Sequence, residues 1–196
     1  LTGVHTVLSR ENAPAAKFGI NHQDETAFCI DKVRYIGDEV AAVAAVDEAT
    51  AREALELIRV EYELLPVVDD PLSAFGEGVS LVHENVPNNL ASQFHVTRGE
   101  VDAAFGAADA TFEDDFHTHL AHQAYIEPTG CVAEPHPDGR LTIWGCLQSA
   151  FIIRTFMIAP ITGMDPDHIR VIQTKPGGAF GGKLDVKAAL MAALLA

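Results

Sequence analysis

The chemistry that this sequence can do is concentrated in nine consecutive residues, Lys175-Pro176-Gly177-Gly178-Ala179-Phe180-Gly181-Gly182-Lys183. Four glycines and one phenylalanine fall within positions 177–182. Glycine loses more conformational entropy on folding than any other residue, so a cluster points to positive φ or to backbone closely approaching another group. The apolar run Ile169 to Gln173 leads into the loop as a strand, and Leu184 to Ala196 leaves it as a helix. A glycine loop at a helix start presents backbone N–H groups where negative charge is favoured. The pattern therefore suits a ligand that carries phosphate or oxo groups.

Gly177, Gly182 and Lys183 also satisfy the GxxxxGK spacing of a triphosphate-binding loop. Leu184 then stands where a magnesium-holding Ser or Thr belongs, and Phe180 is bulky for a loop that wraps phosphate, so this alternative is the weaker one. Other candidates lie upstream. Gln148 follows an apolar strand, and its amide can donate to one oxygen while accepting from another donor; the bland alternative is a helix start. Glu127 sits among Ala124, Tyr125, Ile126 and Pro128, and if buried must be paired or hydrogen-bonded. It fits either an acid–base role or a structural one holding backbone N–H groups, with the structural role preferred. His117 and His119 share a strand face and His122 follows, but without an HExxH pattern or a nearby cysteine they read as structural groups or supports for a buried site. His22 and Asp24 read as loop residues. Lys32, Arg34, Arg52 and Arg59 read as surface charges.

The elements that must position these residues come from periodicity. Val4 to Leu8, Lys32 to Tyr35, Glu39 to Val46 and Val60 to Leu65 read as strands. Asp47 caps a helix whose apolar residues Ala51, Ala54, Leu55 and Ile58 recur at helical spacing. Strand, helix and strand over about 27 residues allow a parallel crossover. Pro66, Pro71, Gly76, Gly78, Pro87 and Asn88-Asn89 mark a linker with a short helix at 71–75. A helix over 100–107 and a strand over Ala110 to His119 follow. Cys131 to Glu134 and Leu141 to Gly145 flank the turn Pro137-Asp138-Gly139-Arg140 and predict an antiparallel hairpin. A helix spans Ala150 to Ile158 and stops near Pro160 and Gly163.

Composition sets the outer bounds. The chain has 196 residues, 48% of them apolar, enough for one large or two small domains. A net charge of −15 opposes binding to nucleic acid or an anionic membrane. Three scattered cysteines, Cys29, Cys131 and Cys146, without a CxxC, exclude a disulfide framework or four-thiolate metal site and suit a reducing, cytoplasmic compartment. No run reaches the length of a membrane span. The first residues enter a strand pattern without an initiator methionine, and the last lie inside a helical run, so the chain reads as a fragment of something longer.

Four stretches, in order, resemble one family. Gly177 to Lys183 is similar to the GGGFGGK loop of the large, molybdenum-binding subunit of the xanthine dehydrogenase and aldehyde oxidase family. Lys32-Val33-Arg34-Tyr35-Ile36-Gly37-Asp38-Glu39-Val40-Ala41-Ala42-Val43 is similar to its KVRYVGxPVAAV, Tyr125-Ile126-Glu127-Pro128 to its MEP or YLE segment, and Gln148-Ser149 to its TQSP or TQN segment. The resemblance implies an α+β fold: a partial α/β hammerhead domain over 1–65, a linker over 66–95, and the start of a mixed molybdopterin-binding domain over 96–196.

It also implies an oxidoreductase that adds water-derived oxygen to an electron-poor carbon, using a molybdenum–pterin cofactor. Iron–sulfur clusters and FAD on partner subunits or domains would carry electrons away in an oligomeric complex with no nucleic acid and no membrane. By resemblance, Gln148 hydrogen-bonds a molybdenum oxygen, and Gly178, Ala179, Phe180, Gly181 and Gly182 line the cofactor, with no residue here bound directly to metal. The glutamate that serves the family as catalytic base belongs to a later motif matched by nothing in this chain, so the isolated fragment is expected to be inactive. Ala179 replaces the loop's third glycine, harmless only if its φ is negative. Leu184 replaces the substrate-orienting glutamate of purine-oxidising members, which disfavours xanthine and fits an aldehyde, an aromatic or another N-heterocycle. Besides the triphosphate loop, a non-catalytic subunit-interaction module stands as an alternative. A sizeable exposed apolar patch, or self-association that covers it, is expected near 169–196.

Overall fold

The computed structural model describes residues 1–184 and 187–196. They form two compact units, Leu1–Val60 with His122–Ala196, and Glu61–Ala121.

The first unit begins with strand β1 (Val4–Ser9). Two-residue strands β2 (Lys17–Phe18) and β3 (Glu25–Thr26) pair antiparallel, and β4 (Ala41–Ala45) pairs antiparallel with β1 across a bulge between Val4 and Thr6. Helix α1 (Glu48–Leu57) starts where the Asp47 carboxylate accepts from the Thr50 N–H at 2.8 Å, the cap expected from sequence. Glu48 and Arg52 form an i,i+4 pair on its outer face. Two expected strands do not form. Residues 32–35 are held as a loop by Arg34, which forks onto Asp31 and takes the Asp38 carboxylate on its own N–H. Residues 60–65 have no ladder partner among the described residues, so the strand–helix–strand crossover is absent.

The Glu61–Ala121 unit has little regular structure. The expected helix at 71–75 is instead a turn capped by Asp70, which accepts from the Ser73 N–H at 2.9 Å. Asn89, in the left-handed region, accepts from Val82 N–H and donates to the carbonyls of Ala74 and Ser80, gathering three loop segments. Helix α2 (Val101–Ala107) matches expectation. The strand expected over 110–119 is not formed; Phe112 and Phe116 are exposed and nothing among the described residues pairs with that backbone.

The second segment of the first unit carries the main sheet. Strands β5 (Cys131–Pro135) and β6 (Leu141–Gly145) form the expected antiparallel hairpin, closed by a turn in which Gly139 takes a φ of +81°. Helix α3 (Ala150–Ile153), a wide π-helical turn (Arg154–Ile158) and helix α4 (Ala159–Thr162) run on as one helical stretch. Pro160 explains the wide turn: it has no N–H to offer the Phe156 carbonyl, and its ring crowds that turn. Ala159 N–H reaches back to the Arg154 carbonyl, while the freed Phe156 carbonyl accepts from Gly19 N–H at 3.2 Å. The stretch ends at Gly163 in the left-handed region.

Strand β7 (Ile169–Gln173) then lies parallel to β6, giving the order β5-β6-β7. The helix expected from Leu184 is observed as α5 (Lys187–Leu195); Leu184 lies outside it, and positions 185–186 lie outside the described residues. Phe18, Phe28, Ile143, Leu147, Ile153, Ile158 and Leu190 share one core, so the two segments of the unit fold as one body. The expected apolar patch at 169–196 is not seen: Phe180 is the large hydrophobe exposed there, among the described residues, because α5 turns Ala189 and Leu190 into that core.

A cluster of charges ties the same segments. Lys187 Nζ donates to Glu39 at 2.7 Å and to the Tyr35 hydroxyl, and lies 3.3 Å from Glu25. Burial pulls the lysine's pKa down, but the bonds to Glu39 and Tyr35 outweigh it and leave the pKa above its usual 10.5. A raised lysine gives stability that is complete below its unfolded pKa and is lost as pH climbs through the higher folded one. The thermal midpoint should therefore hold to pH ~10 and fall beyond it, and Lys187→Met should flatten that fall. Thermal melts across pH 9–12 test this; parallel profiles for the two proteins would contradict it.

Candidate functional site

Parallel β6 and β7 place their carboxyl ends side by side, with Gly145 opposite Gln173. Thr174 N–H extends the pairing to the Gly145 carbonyl at 2.9 Å. Chain leaving β6 reaches Gln148 after three residues, and chain leaving β7 enters the glycine loop. Loops at the carboxyl ends of parallel strands are where open α/β sheets bind ligands. Gln148 and the loop are brought together there: Gly181 N–H donates to Gln148 Oε1 at 3.2 Å, and Gln148 N–H donates to the Lys183 carbonyl at 2.9 Å.

A third strand of chain, 123–130, closes the loop from outside the sheet. Cys146, just past β6, accepts from Gly130 N–H at 3.1 Å and donates to the Pro128 carbonyl at 3.2 Å, which pins this segment. Burial, with Cys146 nearby, pushes the neighbouring Cys131 thiol up to about 11, so it stays protonated at neutral pH. Glu127 Oε2 then accepts from both Gly177 N–H and Lys183 Nζ, each at 2.7 Å. Lys183 is fully buried, and its ammonium also lies 4.9 Å from the centroid of the Tyr125 ring. The Lys183 hydrogen bond, then that from Gly177, holds the Glu127 carboxyl below its ordinary range. Glu127 thus performs the structural role preferred from sequence.

That ion pair removes the triphosphate-loop reading. A lysine that serves phosphates must present its ammonium to them; this one is sealed against a carboxylate and an aromatic ring. His122 is structural as well, its Nδ1 accepting from Ala124 N–H at 2.9 Å and its ring tilted on Tyr125. No group of three or more metal-ligating side chains is present among the described residues.

The glycines divide by job. A Cβ on Gly177 would sit 2.6 Å from Glu127 Cβ, and one on Gly182 would sit 2.6 Å from the Tyr125 ring. Gly181, with φ +89°, has nothing within 4 Å of a built Cβ. Gly178 is left-handed and close to both Tyr125 and Phe180. Ala179 avoids positive φ, so it replaces glycine without strain. Phe180 does not: it holds φ +51° with its side chain 75% exposed. Ser149, beside Gln148, holds φ +63°, and Ala124 φ +54°. Strained backbone of this kind concentrates at ligand sites. Sequence reasoning did not name Gln123, and it quoted Tyr125 and Ser149 only within the short segments 125–128 and 148–149, without a role; the pairing of Tyr125 with Glu127 in one short motif was the available signal. Leu184 is half-buried beside the loop, its N–H donating to the Gly181 carbonyl.

The donors fit an oxygen-rich ligand. Among the described residues, the N–H groups of Gly178, Ala179 and Phe180 donate to nothing. With Gln148 Oε1 taken by Gly181, the amide is oriented and its NH2 is left to donate.

Comparison with known proteins bears on the chain's family. The aldehyde oxidase and xanthine dehydrogenase a/b hammerhead domain matches residues 1–66, and the molybdopterin cofactor-binding domain matches 82–196. The chain is 36% identical to a probable xanthine dehydrogenase subunit of Bacillus subtilis, over 100% of this chain and 26% of the relative. It is 35% identical to the nicotinate dehydrogenase large molybdopterin subunit of Eubacterium barkeri, over 100% of this chain and 45% of the relative. The aldehyde oxidoreductase of Desulfovibrio gigas superposes with a TM-score of 0.87 at 27% identity, covering 100% of this chain and 22% of that one. The chain thus spans between 22% and 45% of the length of these proteins.

Gly182→Ala should cost on the order of 1–3 kcal/mol, because its Cβ meets the Tyr125 ring from a backbone that cannot retreat. Glu127→Gln should lower the thermal midpoint more than the Glu127→Gln, Lys183→Met pair together, since the single change strands a buried ammonium. Thermal melts of the three proteins decide; additive losses from Glu127→Gln and Lys183→Met would contradict the ion-pair role.

Proposed function

We propose, from the premise that this chain belongs to the molybdopterin-binding large-subunit family of xanthine dehydrogenases and aldehyde oxidases, that it is part of the catalytic subunit of a molybdenum-dependent hydroxylase. The observation that carries the proposal is the Gly181–Gln148 bond at 3.2 Å, which locks an oriented amide to a loop with spare N–H donors. When bound, the molybdenum–pterin group supplies the redox chemistry that places water-derived oxygen on an electron-poor carbon.

The residues here hold and orient. Gln148 would offer its NH2 to an oxygen of the cofactor and so help to hold it. Gly178, Ala179, Phe180, Gly181 and Gly182 give a face of backbone rather than side chains, which lets the cofactor approach closely. Phe180 stands out from this face as an apolar wall that excludes water. Glu127 and Lys183 hold the loop from behind, paired with each other at 2.7 Å. Leu184 offers the substrate an apolar contact, supporting an aldehyde, an aromatic or an N-heterocycle over xanthine; similarity to the nicotinate dehydrogenase subunit is in keeping with an N-heterocycle. The catalytic base comes from elsewhere in the subunit.

On this reading the hammerhead part ends near residue 65, 66–95 links, and the cofactor domain begins near 96. Partners carrying iron–sulfur clusters and FAD complete an oligomeric complex. A cytoplasmic, reducing location is supported by three free cysteines. No helix among the described residues is long and apolar enough to cross a membrane.

Gln148→Ala in the full-length protein should lower kcat by about 10–100-fold while the fold and most of the bound pterin persist. Steady-state turnover, with molybdenum and pterin content read in parallel, tests this. Unchanged kcat at equal cofactor loading would contradict it.

A further inference from the structure

From the amino-terminal ends of β6 and β7 along to Ala150 and Phe151 of α3 runs a cleft of about 540 Å³. It has a character unlike the rest of this acidic chain. Arg140, Arg154, Arg170, His136 and His168 line it, with Asp167 as its carboxylate. Three of the chain's 13 Lys and Arg residues therefore converge on one cavity of a protein whose net charge is −15.

These cations are not equally occupied. Arg140 is bound to Asp138, its guanidinium 2.6 Å from that carboxylate. His136 is bound to the Thr142 hydroxyl at 2.8 Å. Arg170, across the β6–β7 ladder from Thr142, is exposed and forms no ion pair among the described residues. Arg154 is the decisive group. Its guanidinium stacks over the Phe151 ring at 5.5 Å, yet its Nε is buried with no hydrogen-bond partner. The ring contact offers Nε no acceptor, and a buried donor without an acceptor costs free energy. The π-helical turn that begins at Arg154 traces to Pro160, so the residue's placement is built into the fold rather than a surface accident.

We propose that this cleft is an oxyanion site, taking a phosphate or carboxylate group on Arg154 with Arg170 and His168 beside it. Two oxygens of a carboxylate or phosphate can accept two parallel N–H bonds from a guanidinium, which satisfies Nε as well as a terminal nitrogen. The cleft includes neither Gln148 nor any residue of the glycine loop, although Ala150 and Phe151, just beyond Gln148 and Ser149, form part of its lining. It does not depend on the molybdenum reading.

The test uses the full-length native protein, with inorganic phosphate as probe in calorimetry and in thermal melts at physiological salt. The expected result is saturable binding with Kd of about 1 mM or tighter, weakened at least about 10-fold by Arg154→Met and less by Arg154→Lys. That outcome assigns the site to a free phosphate-bearing small molecule. If phosphate does not bind, but Arg154→Met lowers the melting temperature strongly at low salt and weakly at high salt, with Arg154→Lys intermediate, the oxyanion is a carboxylate supplied by polypeptide. Absence of phosphate binding, together with Arg154→Met melting as the native protein does at both salt levels, overturns the proposal.

Discussion

A fully buried ammonium must have its charge answered, and the pair Lys183–Glu127 is where this structure meets that demand. Much of the candidate site follows from it. With Lys183 drawn inward, its carbonyl accepts from Gln148 N–H and its ring contact fixes Tyr125. Glu127, held by the lysine, takes Gly177 N–H and so sets where the loop begins. Tyr125 and Glu127 then press so closely on Gly182 and Gly177 that no side chain fits at either position. The loop is therefore clamped at Gly177 and Gly182, with Gly178 to Gly181 between the clamps.

The sheet supplies the second constraint. Parallel β6 and β7 need a crossover, and the helical stretch Ala150–Thr162 is that crossover. The carboxyl end of the pair carries Gln148 and the glycine loop, and the arginine-lined cleft runs from its amino end along the crossover helix. Pro160 shapes the crossover by widening one turn and releasing the Phe156 carbonyl to Gly19, which draws the β2–β3 region onto the same core. A residue with no chemistry of its own thus joins the amino-terminal segment to the body that holds the site.

Much of this was legible in the residues. The β5–β6 hairpin, β7, α2 and the Asp47 cap follow from turn chemistry and periodicity, and the glycine loop announced itself by composition. The strands misread at 32–35, 60–65 and 110–119 share one cause. Alternating or apolar residues make a segment extended, but a strand also needs a neighbour, and pairing is not written in local sequence. The two faces of Lys183 were equally hidden: GxxxxGK spacing describes a phosphate-reaching lysine and a buried one alike, and only Glu127, 56 residues away, separates them. The strain at Ser149 and Phe180 left no local signal, because neither residue type prefers positive φ.

The most direct measurement is the molybdenum and pterin content of the full-length protein, purified natively with its partner subunits. Clamped glycines, an oriented Gln148 amide and spare loop N–H groups predict molybdenum near one per large subunit, with a fluorescent pterin oxidation product in equal amount. A fully folded protein from a molybdenum-replete source that carries neither metal nor pterin would contradict the cofactor-holding role assigned to the loop.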